Sequence, residues 1–256
     1  MSTVSEARKR LIRGTYWNVP ATSSGLCVVC TAPTTNDSYQ TCYPCTEQQR
    51  SGKVLASGGV YPLMWAPMQS QGYQDLRQYK ESSATPDQIG RLKALFALAL
   101  TDHKACLIPR YKEPFAVAHV PSTSGTRTGT HPLEQHILSM LSATRPRIVP
   151  RYVGPSGPDK SNHRRLDPDA WVIPDMPADI HRAILIDDTW VTGSRAQSVA
   201  SALEARGINT RIIVLGRALD PSRRDHSHYL DSHSPSPYNT DICPVFRSPH
   251  CAEQYQ

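Results

Sequence analysis

One stretch decides the fold that we predict: Ala183-Ile-Leu-Ile-Asp-Asp-Thr-Trp-Val-Thr-Gly-Ser194. Its first four residues are apolar, two adjacent acids follow, and a hydroxyl-rich loop begins at Thr189. Next, Arg195 to Arg206 has the apolar periodicity of a helix that ends at Gly207, and Thr210 to Leu215 is a second β-branched run. The order strand, loop, helix, strand predicts a βαβ crossover in a parallel sheet.

The loop within this stretch has the chemistry of an anion site. Ligands of open α/β sheets bind outside the carboxyl ends of strands, and N–H groups at the start of a helix attract negative charge. Thr189, Thr192 and Ser194 add hydroxyl donors, while Gly193 permits a close approach of the backbone. The two acids cannot bind phosphate, but they accept hydrogen bonds from sugar hydroxyls or hold Mg²⁺ indirectly. Together these groups predict a sugar-phosphate site.

The same stretch resembles the signature of type I phosphoribosyltransferases, which is four apolar residues, two acids and a Thr-Gly-Ser/Thr loop. That family binds phosphoribosyl pyrophosphate (PRPP) with Mg²⁺. The resemblance implies that Asp187 and Asp188 hold the ribose hydroxyls. It also implies a 5′-phosphate site formed by Thr189, Trp190, Val191, Thr192, Gly193 and Ser194. An ordinary βαβ turn whose acids cap a helix is the alternative.

Composition and charge limit the class of protein. The 256 residues are 39% hydrophobic, which supports a globular core, and the 22 prolines indicate long irregular segments. The net charge of +6 suits anionic ligands, either phosphorylated metabolites or nucleic acid. Met1 to Gly14 lacks the apolar region of a signal peptide, and Leu92 to Leu100 is about half as long as a bilayer requires. We therefore expect a cytoplasmic protein with no membrane partner.

Four cysteines near the N-terminus form two CxxC pairs, Cys27-Val-Val-Cys30 and Cys42-Tyr-Pro-Cys45. Zn²⁺ prefers four soft ligands in a tetrahedron, and two CxxC turns supply four thiolates. We predict a structural Zn²⁺ held by Cys27, Cys30, Cys42 and Cys45. Redox-active pairs and unrelated buried cysteines are the alternatives. The odd total of seven cysteines argues against a secreted disulfide framework.

A second candidate phosphate loop follows another predicted strand, Pro114 to Pro121. In type I phosphoribosyltransferases the first core strand ends in a small loop that holds the pyrophosphate. Backbone donors and one guanidinium suit such a ligand. The resemblance therefore implies a pyrophosphate site formed by Ser122, Thr123 and Arg127. A flexible Ser/Thr/Gly linker is the alternative.

The most loop-like segment of the chain is Gly154 to Arg165. It lies just before the predicted strand that precedes the one ending in Asp187 and Asp188, and this position resembles that of the mobile catalytic loop of the family. Such loops close over the substrate and bring cations to the departing pyrophosphate. The resemblance implies this role for Lys160 and Arg164, and for Arg165 beside them. A solvated charged loop is the alternative.

Shorter elements are predicted around this core. The patterns favour helices over Ser5–Arg13, Gln71–Lys80, Thr85–Leu100 and Leu133–Leu141, and strands over Ile148–Val153 and Asp169–Ile173. No regular element is predicted for Gln48 to Gln71. The histidines beyond Arg217, with Cys243 and Cys251, form only a diffuse pattern for a second metal, and either cysteine could pack beside the zinc module instead.

The order of the motifs resembles the ComF-type phosphoribosyltransferase-like proteins associated with competence and DNA metabolism. That order is a four-cysteine knuckle, a helical segment carrying Tyr79-Lys80, a pyrophosphate loop and a diacid loop. It implies an α/β fold: a type I phosphoribosyltransferase-like parallel sheet flanked by helices, with a small N-terminal zinc knuckle. We predict a zinc-module segment (1–50), a helical connecting region (51–110), the phosphoribosyltransferase core (111–220) and an irregular C-terminal segment (221–256).

Two functions are compatible with these motifs. The first is a Mg²⁺-dependent phosphoribosyltransferase that moves the 5-phosphoribosyl group of PRPP to an unidentified acceptor and releases pyrophosphate. Such an enzyme works mainly by orientation and by neutralising the charge of the leaving group. The second is a non-catalytic PRPP-binding or nucleic-acid-binding protein of ComF type. Trp190 is a candidate for stacking on an acceptor ring, and a homodimer is expected only by analogy with the family.

Overall fold

A parallel sheet forms the centre of the computed structural model, which describes residues 3–13, 16–21, 25–122, 129–141, 145–154, 165–233 and 236–249. Five of the strands below pair in the order β1-β7-β6-β2-β3, each pair parallel, and β4 and β5 form a separate antiparallel pair. Helices flank the sheet, so the predicted α/β class is confirmed. The helices are α1 (Thr3–Arg13), α2 (Tyr43–Arg50), α3 (Gln71–Gln78), α4 (Pro86–Leu107), α5 (Pro132–His136), α6 (Ser194–Glu204) and α7 (Arg224–Ser232). The strands are β1 (Val60–Pro67), β2 (Ala116–His119), β3 (Arg147–Ile148), β4 (Arg151–Tyr152), β5 (Trp171–Val172), β6 (Arg182–Trp190) and β7 (Asn209–Leu219).

The predicted βαβ crossover is present as β6, α6 and β7. Its helix ends before Gly207, which has a φ of 75°, as the sequence predicted. The start of the loop was predicted wrongly, because Thr189 and Trp190 continue the strand and pair with Gly216 and Arg217 of β7. Because β7 is longer than the predicted strand, the ladder between β6 and β7 extends by these two residues. The loop between strand and helix is therefore only 191–193.

The edge strand β1 lies between Gln48 and Gln71, where no regular element was predicted. It pairs in parallel with β7 and contains Pro62 and Pro67. Proline donates no ladder hydrogen bond, and an edge strand tolerates it because only one side of the strand is paired. Two prolines within eight residues had hidden this strand.

Two predicted elements are broken in the structure. The strand expected over Ile148 to Val153 divides at Pro150, so that β3 joins the main sheet while β4 pairs with β5. The helix expected over Leu133 to Leu141 is α5 followed by a short 3-10 turn, Leu138–Met140. The candidate site lies at the ends of β2 and β6, which are neighbouring parallel strands.

Side chains that alternate along β6 separate two cores. Ile184 and Ile186 pack in one cluster with Leu95 of α4, whereas Leu185 packs on the opposite face with Val199 of α6. The second cluster also contains the four cysteines of the two CxxC pairs: Cys27, Cys30, Cys42 and Cys45. The segment that carries these cysteines, the cysteine module, therefore shares a hydrophobic core with α6.

The C-terminal segment is more regular than predicted, because it contains α7. Cys243 packs against Cys106 of α4 and not in the cluster of the cysteine module. Cys251 lies outside the described residues. Within the described ranges no helix is long and apolar enough to cross a bilayer.

Candidate functional site

The loop between β6 and α6 lies at the carboxyl edge of the sheet. Gly193 precedes the helix in a left-handed conformation, with a φ of 77°. A Cβ at this position would overlap the indole of Trp190, which is fully buried beneath it. Val191 is exposed, so the loop is accessible to solvent. The glycine therefore meets a backbone requirement and a packing requirement together.

Three consecutive carbonyl groups, one from the last residue of β6 and two from the loop, accept hydrogen bonds from buried side chains. Arg217 Nη1 donates to the carbonyl oxygens of Trp190, at 2.8 Å, and Val191, at 3.0 Å. Gln48 Nε2 donates to the carbonyl oxygen of Thr192 at 2.8 Å. In a trans peptide the next N–H points away from the carbonyl, so the N–H groups of 191–193 face the other way. Successive N–H groups on one side form an anion-binding concavity.

Two hydroxyl groups flank the same loop. The side-chain oxygens of Thr192 and Ser194 are 3.2 Å apart, and Gln48 Nε2 also lies 3.4 Å from the Ser194 oxygen. Ser194 is the first residue of α6, so the partial positive charge of the helix start adds to these donors. This part of the loop has the donors that a phosphate requires.

Asp188 is buried and both of its carboxylate oxygens have partners. Tyr79 Oη donates at 2.8 Å and Lys80 Nζ donates at 2.7 Å. Burial opposes the charged form, but the charge of Lys80 and hydrogen bonds from Lys80, Tyr79 and Thr189 outweigh it and lower the pKa of Asp188. The carboxylate is therefore a fixed negative charge.

Asp187 has the opposite electrostatic character. It is partly exposed, and its carboxylate accepts a hydrogen bond from the N–H of Asp188 at 3.0 Å. Burial, and next the negative charge of Asp188, raise the pKa of Asp187 from 3.8 to about 7. The two neighbouring acids thus differ in protonation near neutral pH, and Asp187 is the one that a ligand reaches more easily.

Tyr79 and Lys80 reach Asp188 because they follow α3 directly. From the sequence this pair could be recognised only as part of a family-like order of motifs, without a role in the site. Gln48 and Arg217 were missed entirely, since neither lies in a motif and Gln48 is 144 positions from Thr192. No local pattern could have identified them.

The other predicted phosphate loop begins at the same edge of the sheet. The N–H of Val120 donates to the carbonyl of Ile186 at 3.2 Å, which places the end of β2 beside the start of the diacid. Ser122 is exposed. Thr123 and Arg127 lie outside the described residues, as do Lys160 and Arg164. Their predicted roles stay predictions.

Trp190 cannot stack on an acceptor ring in this conformation. Its side chain has no exposed surface, because the residue belongs to β6 and points into the core with the cysteine module. The stacking role suggested from sequence is therefore wrong. Its backbone carbonyl, held by Arg217, is the part of this residue that shapes the loop.

The two CxxC pairs come together as predicted. The side-chain sulfurs of Cys27, Cys30, Cys42 and Cys45 all lie within 4.8 Å of one another, and all four residues are buried. Thr31, just after the first pair, adopts a φ of 63°, and its N–H donates to the carbonyl of Cys27 at 2.9 Å. The four soft ligands suit a tetrahedral Zn²⁺.

A buried arginine near these sulfurs supports a metal at this position. Arg217 is 2% exposed, and its Nε has no hydrogen-bond partner. Hydrogen bonds from the other three thiols, that of Cys27 first, hold the pKa of Cys30 well below its ordinary value, and the positive charge of Arg217 acts in the same direction. Four thiolates around a divalent ion have a formal charge of about −2, which suits a buried guanidinium.

Known structures show a distant likeness to this chain, while the sequence matches no protein-family model and no curated protein. Two crystal forms of a hypoxanthine phosphoribosyltransferase from Staphylococcus aureus each have a TM-score of 0.31 and 16% identity with it. The orthorhombic form matches over 59% of this chain and 66% of that chain, slightly under two thirds of its length. The tetragonal form matches over 62% and 76%. With TM-scores this low, the likeness does not bear on function.

Proposed function

We propose that this chain is a phosphoribosyltransferase that binds PRPP with its 5′-phosphate in the loop 191–194. The observation that supports this best is the set of three carbonyls at the end of β6 and in the loop, 190–192, which accept hydrogen bonds from Arg217 and Gln48. That arrangement leaves the N–H side of the loop for an anion. An ordinary βαβ turn has no need of two buried side chains to turn its carbonyls away from solvent.

The ribose of PRPP would lie over the diacid. Asp187 is the more accessible of the two, so it is proposed to accept hydrogen bonds from the ribose hydroxyls. Asp188, held by Tyr79 and Lys80, would provide the fixed negative charge beside it. The oxygen ligands of Asp187 also suit Mg²⁺, which in this proposal arrives with PRPP.

The proposed reaction replaces one bond at the anomeric carbon of ribose. A nucleophile forms a bond to that carbon, and the bond to the pyrophosphate oxygen breaks with its electron pair leaving on the pyrophosphate. The protein would contribute orientation and neutralisation of the leaving group. Ser122, Thr123 and Arg127 are proposed at the pyrophosphate, and Lys160 and Arg164 are proposed to close over it.

Calorimetric titration of PRPP, with and without Mg²⁺, tests the proposal. We expect Mg²⁺-dependent binding by the wild type and loss of that binding in Asp187→Asn/Asp188→Asn. Asp179→Asn is the matched control, because Asp179 is an exposed acid before the opposite end of β6. Absence of binding by well-folded, zinc-loaded wild type would exclude a PRPP site.

A non-catalytic PRPP-binding protein of ComF type, with or without nucleic acid, is the second candidate. It is favoured by the internal contacts of Asp188, whose two oxygens already bind Tyr79 and Lys80. This candidate predicts PRPP binding without pyrophosphate release for any acceptor. Nucleic-acid binding would in addition weaken steeply with salt.

A further inference from the structure

The cysteine module (residues 27–45) contacts the phosphate loop (residues 191–194) through α2, the helix that follows Cys42. Cys42 immediately precedes α2, and Cys45 lies in its first turn. Gln48 follows three residues later, on the same side of the helix. Its side chain is buried, and it donates to the carbonyl oxygen of Thr192 at 2.8 Å. A group that fixes Cys42 and Cys45 therefore also fixes the donor of the loop.

A second contact joins the module to the loop through Arg217. The same Nη1 atom donates to the carbonyls of Trp190 and Val191. Trp65, which pairs with Arg217 between β1 and β7, donates from its Nε1 to Oγ1 of Thr31, next to Cys30, at 3.2 Å. Among the described residues the Nε of the buried guanidinium has no hydrogen-bond partner. A metal with four thiolates would supply the negative charge that this buried cation otherwise lacks.

Packing gives a third connection. The four cysteines belong to one hydrophobic cluster with Trp190 and with Val199 of α6. The indole of Trp190 in turn lies directly beneath Gly193. An independent zinc knuckle, attached only to stabilise its own segment, would not share a core with the residue under the loop.

We propose that the cysteine module holds the phosphate loop in its ligand-binding conformation, with Gln48 and Arg217 as positioning residues. PRPP affinity would then depend on metal occupancy, although the four cysteines that would hold the metal are buried in the core with Trp190, beneath the loop. This inference rests on the proposed function for its ligand. The conformation of the loop can be tested without any ligand.

Gln48→Leu is the sharpest variant, because it removes the donor and keeps an apolar group of similar size. Gln49→Leu is its matched control, since Gln49 is the same residue type on the exposed side of α2. With zinc content verified as equal, we expect Gln48→Leu to weaken PRPP binding about tenfold by calorimetry, the equivalent of roughly one buried hydrogen bond. We expect Gln49→Leu to bind as the wild type does.

Hydrogen exchange at the junction of the loop and α6 provides a readout that needs no ligand. The N–H of Gln197 donates to the carbonyl of Gly193 at 2.9 Å, so its protection reports the conformation of the loop. We expect this amide to exchange faster in Gln48→Leu, and in wild type stripped of metal by a chelator, while the amides of α4 keep their protection. Reloading with Zn²⁺ should restore slow exchange. If Gln48→Leu does not fold, the stripped and reloaded wild type gives the same comparison.

The outcomes separate the two proposals. Equal exchange of the Gln197 amide in Gln48→Leu and Gln49→Leu, or in loaded and stripped wild type, would overturn the positioning role whether or not PRPP binds. Faster exchange in a protein that binds no PRPP would keep the link between module and loop and remove the proposed ligand. Wild-type PRPP affinity in Gln48→Leu would also overturn the inference.

Discussion

Gly193 is constrained from two sides at the residue scale. Its φ of 77° favours glycine, and any Cβ would overlap the buried indole of Trp190. The ring belongs to the packed core with the cysteine module, so it cannot simply move aside. The glycine of the loop motif is therefore required by the core below it as well as by the ligand expected above it.

Replacing this glycine separates the two constraints. Gly207 has a similar φ of 75° with open space around it, so Gly207→Ala reports backbone strain alone. We expect Gly207→Ala to lower the free energy of unfolding by about 1 kcal/mol and Gly193→Ala by about 3 kcal/mol, because the latter adds overpacking. Urea denaturation measures both. Equal losses would show that the indole exerts no constraint.

Asp187 should make stability depend on pH. Burial and the charge of Asp188 raise its pKa from 3.8 to about 7, so stability is lost as pH rises through this window and is constant above it. We expect Asp187→Asn to become more stable than the wild type between about pH 4 and 7, by about 2 kcal/mol after allowance for partial exposure. Asp179→Asn is the control. A pH-independent difference would contradict the raised pKa.

The residues of the diacid loop could be predicted because the motif is contiguous in sequence. The partners of Asp188 could not, since the spacing between Lys80 and Asp188 has no pattern of its own. Trp190 was misjudged for a physical reason. A tryptophan counted as part of a loop is expected to be exposed, but pairing with Arg217 of β7 extends the strand and buries it.

At the scale of elements, α3 positions Lys80, the cation that binds Asp188. Lys80 follows this helix, and the helix is anchored by Asp75, which is fully buried. Arg91 of α4 donates to both oxygens of Asp75, at 2.7 and 2.8 Å, and Tyr16 Oη donates at 2.7 Å. The ion pair therefore fixes α3 against α4.

Removing Arg91, the cation that pairs with Asp75, should lower the stability of the fold and weaken ligand binding at the site. Arg91→Met leaves a buried carboxylate without its counter-charge, and we expect a loss of about 3 kcal/mol in the free energy of unfolding. We also expect weaker PRPP binding, because Lys80 loses its support. Arg77→Met, an exposed position on α3, is the control. Calorimetry and urea denaturation measure the two effects, and wild-type values for both would contradict this role.

Elements with strong local signals were predicted well. The helix beginning at Thr85 has its capping box with Gln88, and the βαβ unit has its apolar periods. The edge strand β1 lacks such a signal, because Pro62 and Pro67 interrupt it and its pairing with β7 spans most of the chain. Tertiary pairing, which a local pattern does not contain, decides such a strand.

At the scale of the whole molecule, the cysteine module connects the N-terminal segment to the core. Purified protein should contain about one Zn²⁺ per chain, and Cys45→Ala should lose it and unfold at a lower temperature, because metal binding stabilises the folded state. Cys106→Ala, a buried cysteine outside the module, should keep its zinc. Metal analysis with thermal unfolding tests this, and full zinc content in Cys45→Ala would contradict the site.

The sequence predicted that the four cysteines would come together, but not where they would lie. Their CxxC spacing determines the cluster locally, whereas its position behind the phosphate loop depends on contacts such as Gln48 with Thr192, 144 positions apart. The module could therefore be recognised from sequence as a metal site and not as a support for the loop.

A crystal structure with PRPP and Mg²⁺ bound is the most direct test of the phosphate loop. We expect the 5′-phosphate oxygens within about 3 Å of backbone N–H groups of 191–194. The carbonyls of 190–192 should still accept hydrogen bonds from Arg217 and Gln48 behind the loop. A phosphate bound elsewhere, or a vacant loop at saturating PRPP, would contradict the proposed site.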